Sequence, residues 1–279
     1  MKTRNFLLIT FVTVLMASCM PLSYYQVYKA SHDDKLALKE NRLVFQDNNC
    51  EVFYNLWSEN GNIGFRFYNK TENNIYLNLE QCFFVLNGIA YNYYQNRIFT
   101  NSSNMGTTAS RYSSASKSIT GFNYLDLLQT NKVSGTNSVG VISTAGYSIS
   151  YNEEKVVCIP PKTSKIISGY SINQSRFRNC DLFGYPSAKQ IKTVSFSKDN
   201  SPLVFSNIIE YYINPSDKHI QFENEFYVSE ITNYPESEMF ESRYDEICGQ
   251  KSQTLTKYFK DVSSDKFYIV YEQGTEFKH

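Results

Sequence analysis

Cys82-Phe-Phe-Val-Leu-Asn-Gly-Ile-Ala-Tyr-Asn-Tyr-Tyr94 decides the fold class. Two apolar runs flank Asn87-Gly88, and both turn residues tolerate the positive φ of a type I′ turn, so the stretch reads as a tight β-hairpin. The segments leading up to it alternate. Val52, Tyr54 and Leu56 fall opposite Phe53, Asn55 and Trp57, and Ile63, Phe65 and Phe67 fall opposite Gly64, Arg66 and Tyr68. Ile75, Leu77 and Leu79 alternate with Tyr76, Asn78 and Glu80, and Ser58-Glu-Asn-Gly-Asn62 and 69–74 supply turns. Period-2 segments joined by short turns make antiparallel sheet with one face inward. Residues 43–94 therefore set an all-β reading.

Toward the C terminus the pattern continues as short strands at 155–159 (halted by Pro160-Pro161), 165–172, 190–197, 203–205 and 208–213. Two alternating sets follow, Ile220/Phe222 and Phe226/Val228. Many short strands at spacings near ten residues predict an antiparallel β-sandwich rather than an α/β fold. Two stretches depart from it. Residues about 100–150 are rich in Ser, Thr, Asn and Gly around the apolar island 121–128. A structureless loop of that length is rare in a compact domain, so this is an insertion, either with short elements of its own or mobile. After Pro235, residues Met239, Phe240, Arg243, Tyr244 and Ile247 fit helical spacing, with Glu236 and Glu238 favourable in a first turn. Leu255, Tyr258, Phe259 and Val262 suggest a second short helical element, and 266–271 a closing strand. The expectation is one sandwich domain over 41–279 with a long insertion and short C-terminal helical elements.

Toward the N terminus, 35–41 reads as a polar connector and 20–32 as a tether running into an edge strand. Lys2 and Arg4 precede an apolar run over 6–15. Ten or so residues is about half of what a ~30 Å hydrocarbon core requires, so 1–18 reads as a cleaved secretory signal and not a membrane span. Leu15-Met-Ala-Ser-Cys19 resembles the lipobox of bacterial lipoproteins, with Met16 where that family usually has Leu. The resemblance implies that Cys19 becomes a lipidated N-terminus, heading a tether over 19–40. At ~0.8 kcal/mol per buried methylene, more than one acyl chain anchors stably.

The leader together with an Asn/Tyr-rich β body resembles the uncharacterised exported lipoproteins of Bacteroidales-type gut bacteria. Surface-displayed members of that group carry acidic residues just after the cysteine, and Met20-Pro-Leu-Ser-Tyr-Tyr25 has none. The resemblance thus implies a cell-envelope protein held on the outer membrane and facing the periplasm.

The chain has 27 basic and 27 acidic residues; without Lys2 and Arg4, 25 basic face 27 acidic, a formal −2. No basic block exists, which argues against nucleic acid, a partner that needs clustered Lys and Arg. The 23 Tyr and 20 Phe beside a single Trp are mostly accounted for by strand composition. A carbohydrate-binding surface is the functional alternative, with Trp57, Tyr93 and Tyr94 as candidate platforms. With Cys19 committed to lipid, Cys50, Cys82, Cys158, Cys180 and Cys248 remain. Their number is odd and their spacings long, so buried free thiols are expected, with one bridge as the alternative.

His32, His219 and His279 are scattered, and no metal-hydrolase, nucleophile-elbow, Walker or Rossmann pattern occurs. No catalytic residue, metal or cofactor is assigned. Glu223/Glu225 and Asp245/Glu246 could in principle flank a glycosidic bond, but any chain of this size has such pairs. Asn69-Lys-Thr71 and Asn101-Ser-Ser103 match the N-glycosylation pattern, by chance in a bacterial lipoprotein. The leading expectation is a membrane-anchored, non-enzymatic binding or scaffolding sandwich, with lipid at Cys19 and envelope protein or glycan as partners. An envelope hydrolase acting on glycan is the alternative.

Overall fold

A computed structural model describes residues 22–105, 145–214 and 218–274. The leader, Cys19, the island 121–128 and His279 lie outside them. The described chain is all-β, with one single-turn α-helix, α1 (Glu236–Met239), and three short 3-10 turns. The larger, nine-stranded sheet has as its backbone the order β11 (Val156–Ile159), β6 (Ile75–Asn78), β14 (Val204–Tyr212), β15 (Ile220–Pro235), β1 (Ser23–His32) and β18 (Lys266–Glu272). Beside this path, β7 (Phe83–Leu86) continues the line of β6 along β14 and carries β8 (Ile89–Asn92), and β13 (Thr193–Ser195) pairs with β15. The smaller sheet runs β12 (Ser164–Ile167), β5 (Phe65–Asn69), β4 (Cys50–Tyr54), β3 (Arg42–Gln46), β2 (Leu36–Lys39). Every pairing between these strands is antiparallel.

The two sheets face each other through the residues that the alternation placed inward. Val52, Tyr54, Leu56, Ile63, Phe65 and Phe67 are all at most 1% exposed. They meet the alternate residues of the larger sheet: Tyr54 packs edge-on to Phe226 at 5.3 Å, Phe67 to Tyr211 at 5.5 Å, and Phe45 stacks on Phe222 at 4.2 Å. Each such ring contributes on the order of 1.5–3 kcal/mol by leaving water. The Asn87-Gly88 turn has φ of 47° and 81° and joins the paired residues Leu86 and Ile89, as a type I′ turn requires.

The segment 173–187 covers part of the larger sheet's inner face, held by a buried amide cluster. Gln26 Nε2 donates to the Phe177 carbonyl (2.9 Å) and to Asn233 Oδ1 (2.8 Å), and its Oε1 accepts from Phe177 N–H (2.7 Å). Asn233 Nδ2 donates to the Phe183 carbonyl (2.9 Å) and the Tyr271 hydroxyl to the Gly184 carbonyl (2.7 Å). Satisfied on all sides, Gln26 and Asn233 can be fully or nearly fully buried.

Several expectations are corrected. β1 is an interior strand, paired with β15 on one side and β18 on the other, and not an edge. The polar connector contains β2, whose Leu36 points inward at 4% exposed. The segments 203–205 and 208–213 are one strand, β14, and the two alternating sets near 220–228 belong to the sixteen-residue β15. The C-terminal helices are overturned: α1 is one turn, and then β16 (Phe240–Ile247) and β17 (Gln250–Phe259) form a hairpin. Cys248 and Gly249 close it at φ 52° and 77°, while Phe240 and Phe259 meet across its base at 4.4 Å. The helical stripe had nothing to bury against: Tyr244, Ile247 and Leu255 are 52%, 74% and 56% exposed. The insertion opens and closes as a ribbon, β9 (Ile98–Met105) against β10 (Ala145–Asn152).

Of the cysteines, Cys50 and Cys82 are buried, Cys158 is half-buried, Cys180 and Cys248 are exposed, and all five are free. Burial pushes the Cys82 thiol up to about 12 and the Cys50 thiol up as well. Asn69 is fully buried and donates to the Asn73 (2.7 Å) and Ile159 (2.9 Å) carbonyls, which closes its side chain to glycosylation.

One backbone crossing ties the end of β12 to the start of β5. A Cβ on Gly169 would lie 2.0 Å from the Gly64 nitrogen, and one on Gly64 would lie 2.7 Å from the Gly169 nitrogen. Beside it, Ile63 N–H donates to the Tyr170 carbonyl (3.2 Å) and Asn62 bridges to Ser171. Neither glycine can gain a side chain without forcing the two backbones apart. Gly169→Ala is therefore expected to cost about 1–3 kcal/mol, the usual range for overpacking. In a thermal melt this lowers Tm by roughly 2–4 °C per kcal/mol for a domain of this size; an unchanged Tm would contradict the crossing.

Candidate functional site

Among the concave features of the described residues, one of about 700 Å³ is lined by Tyr24, Pro186, Glu236 and Phe240, and two smaller ones lie on the two faces of the larger sheet. The first of the smaller ones is a cleft of about 310 Å³ on the outer face of the larger sheet. Alternation along β1 turns Val27 and Lys29 outward, and pairing places Thr232 and Glu230 beside them. α1 and residues 260–261 overhang the cleft. Its charges balance in pairs: Lys29 to Glu230 at 3.0 Å, Lys260 to Glu238 at 3.4 Å, and Lys266 to Asp261. Hydrogen bonding to Glu230, against a smaller opposing effect of burial, holds the Lys29 ammonium above its ordinary pKa. Every carboxylate lining this cleft is thus tied to a lysine, and none stands free as a proton donor or nucleophile.

Trp57 forms part of the cleft's wall but is only 5% exposed. Its indole packs edge-on to Phe259 at 5.2 Å and against Tyr268 at 5.1 Å. Tyr25 and Phe240 complete a small outer core that docks the base of the β16–β17 hairpin onto β1 and β18. Trp57 is corrected from an exposed platform to a packing residue: its ring is covered by the hairpin that sequence periodicity had read as helix.

The other chemistry-bearing residues are separately engaged. Glu223 accepts from the Ser206 hydroxyl (2.6 Å) and Glu225 pairs with Lys198. Asp245 accepts from the Tyr258 and Thr256 hydroxyls, in that order of effect, which holds its carboxyl below the ordinary value. His219 contacts Glu210 at 2.9 Å and stacks on Tyr212, and His32 faces the Asp33 carbonyl at 2.9 Å. Among the described residues no group of three or more His, Cys, Asp or Glu could hold a metal ion.

The second feature is a groove, also of about 310 Å³, where the larger sheet outreaches the smaller one. β7 and β8 extend the inner face beyond the cover of strands β2–β5 and β12, none of whose residues line the groove. Pairing puts Tyr91 beside Phe84, and Ile89 beside Leu86, on this face. Tyr170 reaches over from the other side: its ring stacks on Phe84 at 5.4 Å and lies 5.8 Å from that of Tyr91. Tyr91 is 40% exposed and Phe84 2%. Ser171, Asn173 and Gln174 form a polar rim, and no charged residue lines the groove.

Tyr170 is fixed in place before any ligand arrives. Its hydroxyl donates to the Asn92 carbonyl and accepts from Gln95 Nε2. Gln95 is held in turn, because its backbone N–H donates to Glu153 Oε2 (2.8 Å). Glu153 also accepts from Arg97 N–H (3.1 Å) and Nε (2.9 Å) at the base of the β9–β10 ribbon.

Tyr93 and Tyr94, the two sequence-based candidates nearby, do not form the groove's walls. Tyr93 is 2% exposed and stands behind Tyr170, donating to Asn207 Oδ1 (2.8 Å), with burial holding its phenol far above its ordinary pKa. Tyr94 is half-buried, with Lys155 5.4 Å above its ring and its hydroxyl on Asn96 (2.9 Å). The rings that line the groove are Tyr91, which is exposed, and Tyr170, which is half-buried. Tyr91 shares strand parity with Tyr93 and was within reach of the pattern; Tyr170 is delivered by the glycine crossing and has no local signal.

Burial alone would raise the Glu153 carboxyl, but the hydrogen bonds from Arg97 and Gln95 outweigh it and hold it below the ordinary 4.5. A depressed folded-state pKa contributes stability that is complete above the unfolded value and is lost as pH falls through the folded one. Glu153→Gln should therefore be less stable than wild type at pH 7, and denaturant titrations repeated downward from pH 5 should find the difference shrinking. A difference that stays constant to pH 3 would contradict the ion pair. No family model, no curated protein and no solved structure matches this chain.

Proposed function

We propose that this chain is a lipid-anchored protein of the cell envelope, held through Cys19, whose sandwich binds and does not catalyse. The observation that carries the binding reading is the uncharged aromatic groove with Tyr170 already fixed in place. Concave, largely apolar sites with a few fixed polar groups are where proteins take ligands. Of the candidate acids, Glu223 and Asp245 are committed to hydroxyls and Glu225 to a lysine, as are the carboxylates of the first cleft. The anchoring part rests on the leader and on the position of β1, which begins at Ser23 and leaves little tether after Cys19. Such a domain would sit close against the membrane face, on the periplasmic side of the outer membrane.

A scaffolding role rests on a different observation. The β16–β17 hairpin pairs with no other strand among the described residues and exposes Tyr244, Ile247 and Leu255. Apolar side chains on a projecting two-stranded ribbon are suited to contact with another envelope protein.

Metabolic labelling with a palmitate analogue, on cells producing wild type or Cys19→Ala, tests the anchor. Wild type should take up label and sediment with membranes, while the variant should do neither. Equal labelling of both would overturn it.

A further inference from the structure

We infer that the groove between the β7–β8 hairpin and Tyr170 is a saccharide site that takes an uncharged sugar unit against Tyr91 and Tyr170; this rests on the binding reading above and names its ligand class. The walls decide the class. With no charge in the lining, an anionic or cationic ligand would lose its hydration and gain no counter-charge. A purely apolar ligand such as an acyl chain would strip water from the rim without replacing its hydrogen bonds. The Tyr91 hydroxyl, the Ser171 hydroxyl and the Gln174 amide each lack a protein partner among the described residues. They offer donors and acceptors of both kinds around an aromatic floor.

A sugar ring matches that combination. Its hydroxyls both donate and accept around its rim, while its C–H face, polarised by neighbouring oxygens, suits the negative face of an aromatic ring. At about 310 Å³ the groove falls at the lower end of ordinary ligand sites, fitting a short stretch of a chain and not a large glycan. Because Tyr170 is held by Asn92 and Gln95, little side-chain freedom is lost on binding.

An extended peptide added to the edge of β8 that pairs with no strand among the described residues is the competing occupant. That strand has only four residues, Ile89–Asn92, and the Asn92 carbonyl is already taken by Tyr170. The ladder available to a peptide is therefore short.

The test is isothermal titration of the full-length chain in a sugar-free detergent. The probes are β-1,4-glucose, α-1,4-glucose, β-1,4-xylose and β-1,4-mannose hexamers, the β-1,4-N-acetylglucosamine tetramer, and an uncharged extended hexapeptide. At least one oligosaccharide should bind. Tyr91→Ala should weaken it at least tenfold, Tyr170→Phe should weaken it less, and Tyr94→Ala should leave it unchanged. Tyr91 stands on the surface, so its variant should keep the wild-type Tm, which separates lost binding from lost folding. Saccharide binding that ignores Tyr91→Ala would overturn the site. If only the peptide binds, and Tyr91→Ala abolishes it, the saccharide assignment falls and the binding reading stands. If neither class binds, both fall.

Discussion

Two sheets of unequal extent are the constraint on which the rest of this structure depends. A sandwich buries the inner face of each sheet against the other, and five strands cannot cover nine. The uncovered inner surface of the larger sheet is dealt with in two ways. Over β1, β15 and β18, the segment 173–187 lies across it, fastened by Gln26 and Asn233 to backbone groups that burial would otherwise leave unpaired. Over β7 and β8, Tyr170 is the ring that reaches across among the described residues, and the groove lies between them. The candidate site is thus a by-product of sheet mismatch that a single tyrosine converts into a shaped cavity.

The placement of that tyrosine links distant parts of the chain. Gly64 and Gly169 let two backbones approach closely, and the residue after the second glycine then emerges over Phe84. Behind it, Asn207 accepts from the Tyr93 hydroxyl and donates to the Ile63 carbonyl (2.9 Å). The residue beside Gly64 is thereby fixed from the core side. On the solvent side, Gln95 transmits the position of the β9–β10 ribbon base to the Tyr170 hydroxyl. The groove is therefore rigid on its Tyr170 side and exposed on its β8 side.

How much of this was legible in the sequence follows the range of the interactions. Period-2 alternation reports which face of a strand is buried, and at Val52, Tyr54, Phe65 and Phe67 it did so correctly; Asn87-Gly88 likewise closed the turn its local chemistry demands. Alternation says nothing about which strand lies beside which. β1 looked like an edge because its second partner, β18, is contributed from the far end of the chain. The hairpin at 240–259 was misread because Met239, Phe240, Tyr244 and Ile247 carry helical spacing, while the cross-strand contact of Phe240 with Phe259 and the positive φ at Cys248 decide the conformation. Trp57 drew notice as the one tryptophan, yet its burial depends on that same hairpin. Tyr170 owes its role to a contact between glycines about a hundred positions apart, which no local pattern can report.

The interior position of β1 has a mechanical consequence. Its hydrogen bonds to β15 and β18 lie across the strand axis on both sides. Tension on the chain upstream of Ser23 pulls along that axis, so both ladders are loaded in shear and share the force over the length of the strand. An edge strand pulled away from its sheet would instead yield one bond at a time. Any pull on the chain ahead of Ser23 would thus be borne by a strand bonded on both sides and not by the sheet's outermost one.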